Sequence, residues 1–155
     1  MSPRELGVQL MRLHLLRRRY THRVGGPDAP VPGQYPLLRY LLAHPGATQQ
    51  ALSAALFVSP AAVALSTKRM AKAGLLEKRA DPNNRRCNLL FATGAGREAF
   101  ERSSRVFEAV DALTFTGLDE AERAELGRML LRMIANFPES ETIPLPCFEE
   151  VENKK

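Results

Sequence analysis

The residues of this 155-residue chain that could act on another molecule are of types that grip rather than transform. Catalysis needs a nucleophile, a base and an orienting group held together. The three histidines, His14, His22 and His44, have no Cys, Ser or carboxylate motif beside them, and Cys87 and Cys147 give neither a disulfide framework nor metal-ligand spacing. The chain is therefore read as no enzyme, with no catalytic residue, cofactor or resident metal. Between Thr48 and Arg86, by contrast, Thr48, Gln49, Ser59, Lys68, Arg69, Lys72, Arg85 and Arg86 supply hydroxyls, an amide and cations, interleaved with Ala61, Ala62 and Leu65. Polar and basic side chains of this kind hydrogen-bond to phosphates and base edges.

Charge points to the same partner once it is divided along the chain. Residues 1–97 hold 15 Lys/Arg against 4 Asp/Glu, a balance of +11, whereas residues 98–155 hold 7 against 13, a balance of −6. Positive charge is thus concentrated around the polar cluster, as release of counterions from phosphates requires. A basic balance alone is weak, because solvated basic faces are common. Its coincidence with a structural motif is what gives it weight.

That motif must be built by the elements around the cluster. Thr48 can cap a short helix on which Leu52, Ala55 and Leu56 share a face, and Phe57 and Val58 then make an apolar turn. Ser59-Pro60 opens a second helix, since the hydroxyl caps and proline has no N–H to waste at the first position. Val63, Ser66, Thr67 and Met70 repeat at helical spacing and should face inward. Ala61, Ala62, Ala64, Leu65, Lys68, Arg69 and Lys72 should face out, and Gly74 should end the helix in the left-handed conformation. Leu75 to Arg79 and Cys87 to Thr93 read as strands joined by the turn Asp81-Pro-Asn-Asn-Arg85-Arg86, whose Asp, Pro and Asn favour turn geometry. The stretch parses as a winged helix-turn-helix, and arginines at a hairpin tip suit a DNA minor groove or its phosphates.

These residues resemble the MarR family of bacterial transcriptional regulators. The likeness is carried by PGATQQALSAALFVSPAAV and MAKAGLLEKRADPNNRRCNLLFATGAG: the helix-turn-helix, the Gly-Leu-Leu entry to the wing, the Asp-Pro-Asn-x-Arg-Arg tip and the Thr-x-x-Gly exit. The motifs span Pro45 to Gly96, and the helical arrangement extends the resemblance to about Phe137. It implies a homodimer built by the first and last helices, bound to double-stranded DNA on a palindrome-like operator. It also implies a small effector, often aromatic or acidic, between those helices and the DNA-binding lobe. Met11, His14, Arg18 and Tyr40 are the pocket residues that position nominates. Two departures matter: Asn84 stands where the family usually has Asp, and Ala62, Ala64 and Leu65 stand where polar or basic residues are usual. An apolar groove face can contact only thymine methyl groups, so direct base reading should be weaker, with more selectivity left to the wing and DNA shape.

The remaining chain reads as support. Pro3 to about Val24 is expected as a first helix, with Leu6, Leu10, Met11, Leu13 and Leu15 at helical spacing and a crowd of arginines in its second half; Gly25 to Gly33 is a loop. Gln34 to Ala43 is apolar nearly all round and should lie at the centre. Ala95 to about Phe115 carries Ala99, Phe100, Ser103, Val106, Phe107, Val110 and Leu113 on one stripe. Asp119 and Glu122 fit a capping box before a last helix with Leu126, Met129, Leu130, Met133, Ile134 and Phe137 inward. The fold class is thus mainly α with a small β-hairpin. Residues 1–33 and 94–138 form a helical dimerisation region, 34–93 the DNA-binding lobe and 139–155 a tail. The apolar surplus on the terminal helices points to a partner subunit. With no apolar run near the roughly 18 residues of a span and no signal-peptide pattern, a cytoplasmic location away from membranes is expected. The rival readings are a winged-helix interaction module that has lost DNA binding and a metal-responsive regulator.

Overall fold

A computed structural model describes residues 1–31, 33–84 and 87–138. Among the described residues there are six α-helices and a three-stranded antiparallel sheet of order β1-β3-β2. Helix α1 (Pro3–Gly25) starts at a complete capping box: Ser2 Oγ accepts from the Glu5 amide, and the Glu5 carboxylate accepts from the Ser2 amide at 2.7 Å. A single 3-10 turn at Gly26–Asp28 follows, inside the stretch read as loop.

Helix α2 (Gln34–Ala43) lies at the centre, as its all-round apolar sequence requires. Its Leu37, Leu38 and Leu41 are buried together with Leu52, Val63, Met70, Leu76 and Leu90, drawn from two further helices and two strands. Each such side chain contributes about 1.5–3 kcal/mol by leaving water. Helix α3 (Gln49–Leu56), helix α4 (Pro60–Lys72) and the sheet pack around this cluster.

The sheet departs from the expected two-stranded hairpin by one strand. Strand β1 (Ala47–Thr48) pairs with β3 (Asn88–Ala92), Ala47 opposite Leu90 and Thr48 opposite Leu89. Strand β2 (Leu76–Ala80) pairs with β3 from Leu76↔Ala92 to Ala80↔Asn88. It begins one residue later than expected, because the Leu75 amide closes α4 by donating to the Met70 carbonyl at 2.9 Å.

Helix α5 (Gly94–Thr114) is opened by Thr93, whose Oγ1 accepts from the Gly96 amide at 3.0 Å, and it packs along α1. Arg17 ties the two: it donates to Asp111 Oδ1 at 2.5 Å and to Thr114 Oγ1 at 2.7 Å. Along the α5 stripe Val106 and Val110 are buried, while Leu113 near its end is exposed.

Helix α6 (Glu120–Ile134) has the capping box read from Asp119 and Glu122, with Asp119 Oδ1 accepting from the Glu122 amide at 2.8 Å. Its inward stripe needs correction. Leu126 and Leu130 are only half-buried, while Met129, Met133, Ile134 and Phe137 are exposed, Phe137 at 63%. The spacing is amphipathic, yet among the described residues no element buries that face. The same holds for Leu6, Leu10, Met11, Leu13 and Leu15 of α1, all exposed. The tail lies outside the described residues.

Candidate nucleic-acid interface

The helix-turn-helix is held by side chains that spend their hydrogen bonds on backbone. Thr48 Oγ1 accepts from the Ala51 amide at 3.1 Å, opening α3. Phe57 then takes a left-handed conformation (φ 51°), and Ser53 Oγ fixes the turn by donating to the Val58 carbonyl at 2.7 Å. Ser59 Oγ accepts from the Ala62 amide at 3.2 Å, with Pro60 at the first helical position. Behind α4 the buried Thr67 is fully satisfied: its hydroxyl donates to the Ala64 carbonyl at 3.2 Å and accepts from Gln49 Nε2 at 2.9 Å. A buried hydroxyl without such partners would be costly. This pair therefore fixes how α3 and α4 lie against each other.

With Val63, Thr67 and Met70 locked into the core, the opposite ridge of α4 is set by helical geometry as Ala61, Leu65, Lys68 and Lys72, one turn apart in sequence. Ala62 and Arg69 flank it. All six side chains are exposed, and α4 contains no acidic residue. The ridge thus runs from an apolar N-terminal half to a cationic C-terminal half.

The junction to the wing is equally constrained. Gly74 has φ 73°, and its amide donates to the Ala71 carbonyl at 3.0 Å while the Leu75 amide reaches Met70, a paired closing motif that a left-handed residue permits. Thr93 Oγ1 donates to the Gly74 carbonyl at 2.6 Å, and the Thr93 amide donates to Leu75 at 3.1 Å. The C-terminus of α4 and both wing strands therefore move as a unit. In the wing turn, Asp81 Oδ1 accepts from the Asn83 amide at 2.8 Å and the Asp81 carbonyl from the Asn84 amide at 3.2 Å. On β2, Arg79 pairs with Glu77 and lies 4.4 Å over the Phe91 ring, beside the exposed Lys78.

A cleft of about 320 Å³ opens between α1, α2 and α5. It is lined by His14, Arg17, Arg18, Thr21 and His22 of α1, by Pro30, Val31 and Gly33 of the connection, by Tyr35 and Pro36 of α2, and by Phe107 of α5. Tyr35 is held in place by rings on both sides, stacked on Phe100 at 5.0 Å and tilted to Phe107 at 4.6 Å. Among the described residues the charged side chains lining the cleft are basic, although Arg17 is paired with Asp111 of α5.

Comparison with known proteins assigns this arrangement. A family model described as MarR family matches residues 29–86. The transcriptional regulator HosA of Escherichia coli O111:H- is 30% identical over 128 residues, which cover 83% of this chain and 90% of HosA. The chain belongs to the MarR family. Among solved structures it is similar to the organohalide-sensing transcriptional regulator RdhR in its 2,4-dichlorophenol-bound form (TM-score 0.78, 16% identity, 96% of this chain and 90% of that one). It is also similar to a cysteine-to-serine mutant of MarR from E. coli complexed with operator DNA (TM-score 0.72, 20% identity, 83% and 93% covered). These likenesses establish the shared winged-helix fold, and the family is one of transcriptional regulators, not enzymes.

Within this MarR-family framework the residues singled out from sequence divide clearly. Ser59, Ala61, Ala62, Leu65, Lys68, Arg69 and Lys72 gather on and around one exposed helix. Thr48 and Gln49 are half-buried, and their side chains hold the motif together. Arg85 and Arg86 lie outside the described residues. Of the four pocket residues, His14 and Arg18 line the cleft. Met11 is exposed elsewhere on α1, and the Tyr40 ring lies tilted against His44 with ring centroids 4.5 Å apart. Sequence reasoning missed Tyr35, Phe107, Thr21 and His22 in the cleft and Lys78 and Arg79 in the wing. The only advance signal was the aromatic content of the central helix, which did not say which tyrosine faces the cleft.

Proposed function

We propose that this chain is a homodimeric, sequence-specific DNA-binding repressor whose affinity for a palindrome-like operator is lowered by a small molecule in the α1–α2–α5 cleft. The observation that carries the reading is the outward ridge of α4: exposed along its length, cationic at one end, free of acidic residues and braced from behind by the Gln49–Thr67 pair. A helix presented in this way fits a DNA major groove, with the wing beside it on the backbone or minor groove. The operator complex of the similar MarR structure supports the same use of the fold.

Dimerisation is supported by the bare apolar faces of α1 and α6, which belong to the regions 1–33 and 94–138, while 34–93 forms the DNA-binding lobe. A two-fold axis through those helices would set two α4 copies about one helical turn apart. The cleft sits where α1 and α5 of the dimer region meet α2 of the lobe, so an occupant can favour one lobe spacing over another. It acts only through its different affinity for the two states. The dichlorophenol-bound form of the similar RdhR regulator supports a small-molecule effector for this fold. Because DNA is the partner, the cytoplasm is the place of action, and among the described residues no single helix is long and apolar enough to cross a membrane.

Selection of bound duplexes from a random pool, followed by sedimentation of the complex, tests the reading. Two inverted half-sites about one turn apart, bound by two chains, are expected. A single asymmetric site bound by one chain would contradict the dimer. No enrichment at all would favour the interaction-module alternative.

A further inference from the structure

The N-terminal half of α4 has almost nothing with which to form a hydrogen bond. Ala61, Ala62, Ala64 and Leu65 carry no donor or acceptor on their side chains, and Ser59 Oγ already accepts from the Ala62 amide. Ser66 is half-buried, turned away from the ridge. Gln49, at the start of α3, is committed to Thr67 at 2.9 Å, and the exposed Gln50 belongs to α3 rather than to this ridge. The first exposed polar side chain along the ridge is Lys68, nearly one turn beyond Leu65. Leu65 itself sits at the centre of the outward face, diametrically opposite Val63, Thr67 and Met70, and stays 51% exposed.

An apolar ridge can still discriminate among bases, because in the major groove thymine alone presents a methyl group. Burying a leucine side chain against that methyl removes apolar surface of both from water. The small Ala61, one turn earlier, would let the helix backbone approach closely enough for this contact. We infer that Leu65, with Ala61 beside it, is a specificity-determining residue that reads thymine C5-methyl groups in each half-site. The inference rests on the proposal that α4 enters the major groove. Selectivity under the first half of α4 is then for T·A pairs through apolar contact, and Lys68 and Lys72 supply phosphate attraction without choosing a base.

Deoxyuridine substitution isolates the methyl, since uracil keeps every hydrogen-bonding group of thymine. Each thymine of the selected duplex is replaced singly by deoxyuridine, and affinity is measured by fluorescence anisotropy for the wild type, Leu65→Ala and Lys68→Ala. One or two thymines per half-site should show a loss of roughly fourfold on substitution, the value of one buried methyl group. Leu65→Ala should bind more weakly and lose that sensitivity, whereas Lys68→Ala should keep it. Because Leu65 is exposed, Leu65→Ala should melt with the wild type, which separates lost reading from lost folding. Intact binding that is insensitive to every uracil would overturn methyl reading alone, as would equal sensitivity in Leu65→Ala. Failure of the wild type to bind any duplex would overturn the regulator proposal and this inference together.

Discussion

Gly96 presses its α-carbon against the carbonyl of Leu75 so closely that a Cβ at position 96 would fall 2.0 Å from that oxygen. The contact joins the first turn of α5 to the residue that ends α4 and leads into the wing. Gly96→Ala must displace one of them, and a fixed backbone oxygen cannot swing aside as a flexible side chain can. The expected cost is about 1–3 kcal/mol, in the range of overpacked cores. Thermal unfolding should show a melting point lower by several degrees; an unchanged melting point would mean the junction is looser than described.

That junction also shows what was legible in the sequence. Ser59-Pro60, Gly74 and the Asp119/Glu122 pair announced their helix boundaries because caps are local chemistry, decided within four residues. Strand β1 was not legible: two residues have no periodicity, and Ala47–Thr48 is a strand only because β3 lies alongside. The stripes of α1 and α6 were legible as apolar, but spacing says nothing about what covers a face. Tyr35 and Tyr40 stand on one nearly all-apolar helix, and only the distant Phe100 and Phe107 decide which of them borders the cleft.

Thr67→Val keeps the shape of a buried side chain but removes both hydrogen bonds of its hydroxyl. Ala64 keeps its helical carbonyl partner, and the half-buried Gln49 amide can turn to water. The loss should therefore be about 1–2 kcal/mol rather than the full cost of stranded polar groups. Denaturant unfolding of Thr67→Val, Gln49→Ala and the double variant should give a coupling of about 1 kcal/mol between the two positions. Additive losses would show that the pair does not brace the motif.

Glu5 is held below the usual carboxylate range, chiefly because its carboxylate accepts from the Ser2 backbone amide and also because it accepts from the Ser2 hydroxyl. A carboxyl lowered on folding stabilises the folded form above its unfolded pKa, and that contribution is lost as pH falls through the folded value. Acidification should therefore fray the first turn of α1. Proton NMR should show the Ser2 amide losing protection as Glu5 titrates, and Glu5→Gln should abolish that pH dependence. Protection that ignores the protonation of Glu5 would contradict the capping role.

The central claim is that the outward ridge of α4 lies on duplex DNA, and the salt dependence of binding tests it most directly. Affinity for the selected duplex is measured by anisotropy at several salt concentrations for the wild type and for Lys68→Ala/Lys72→Ala. Binding by the wild type should weaken steeply with salt, and the double variant should bind less tightly with a slope of log affinity against log salt shallower by about 2, one for each lost phosphate contact. A wild type that does not bind duplex, or a double variant whose slope matches it, would contradict the account.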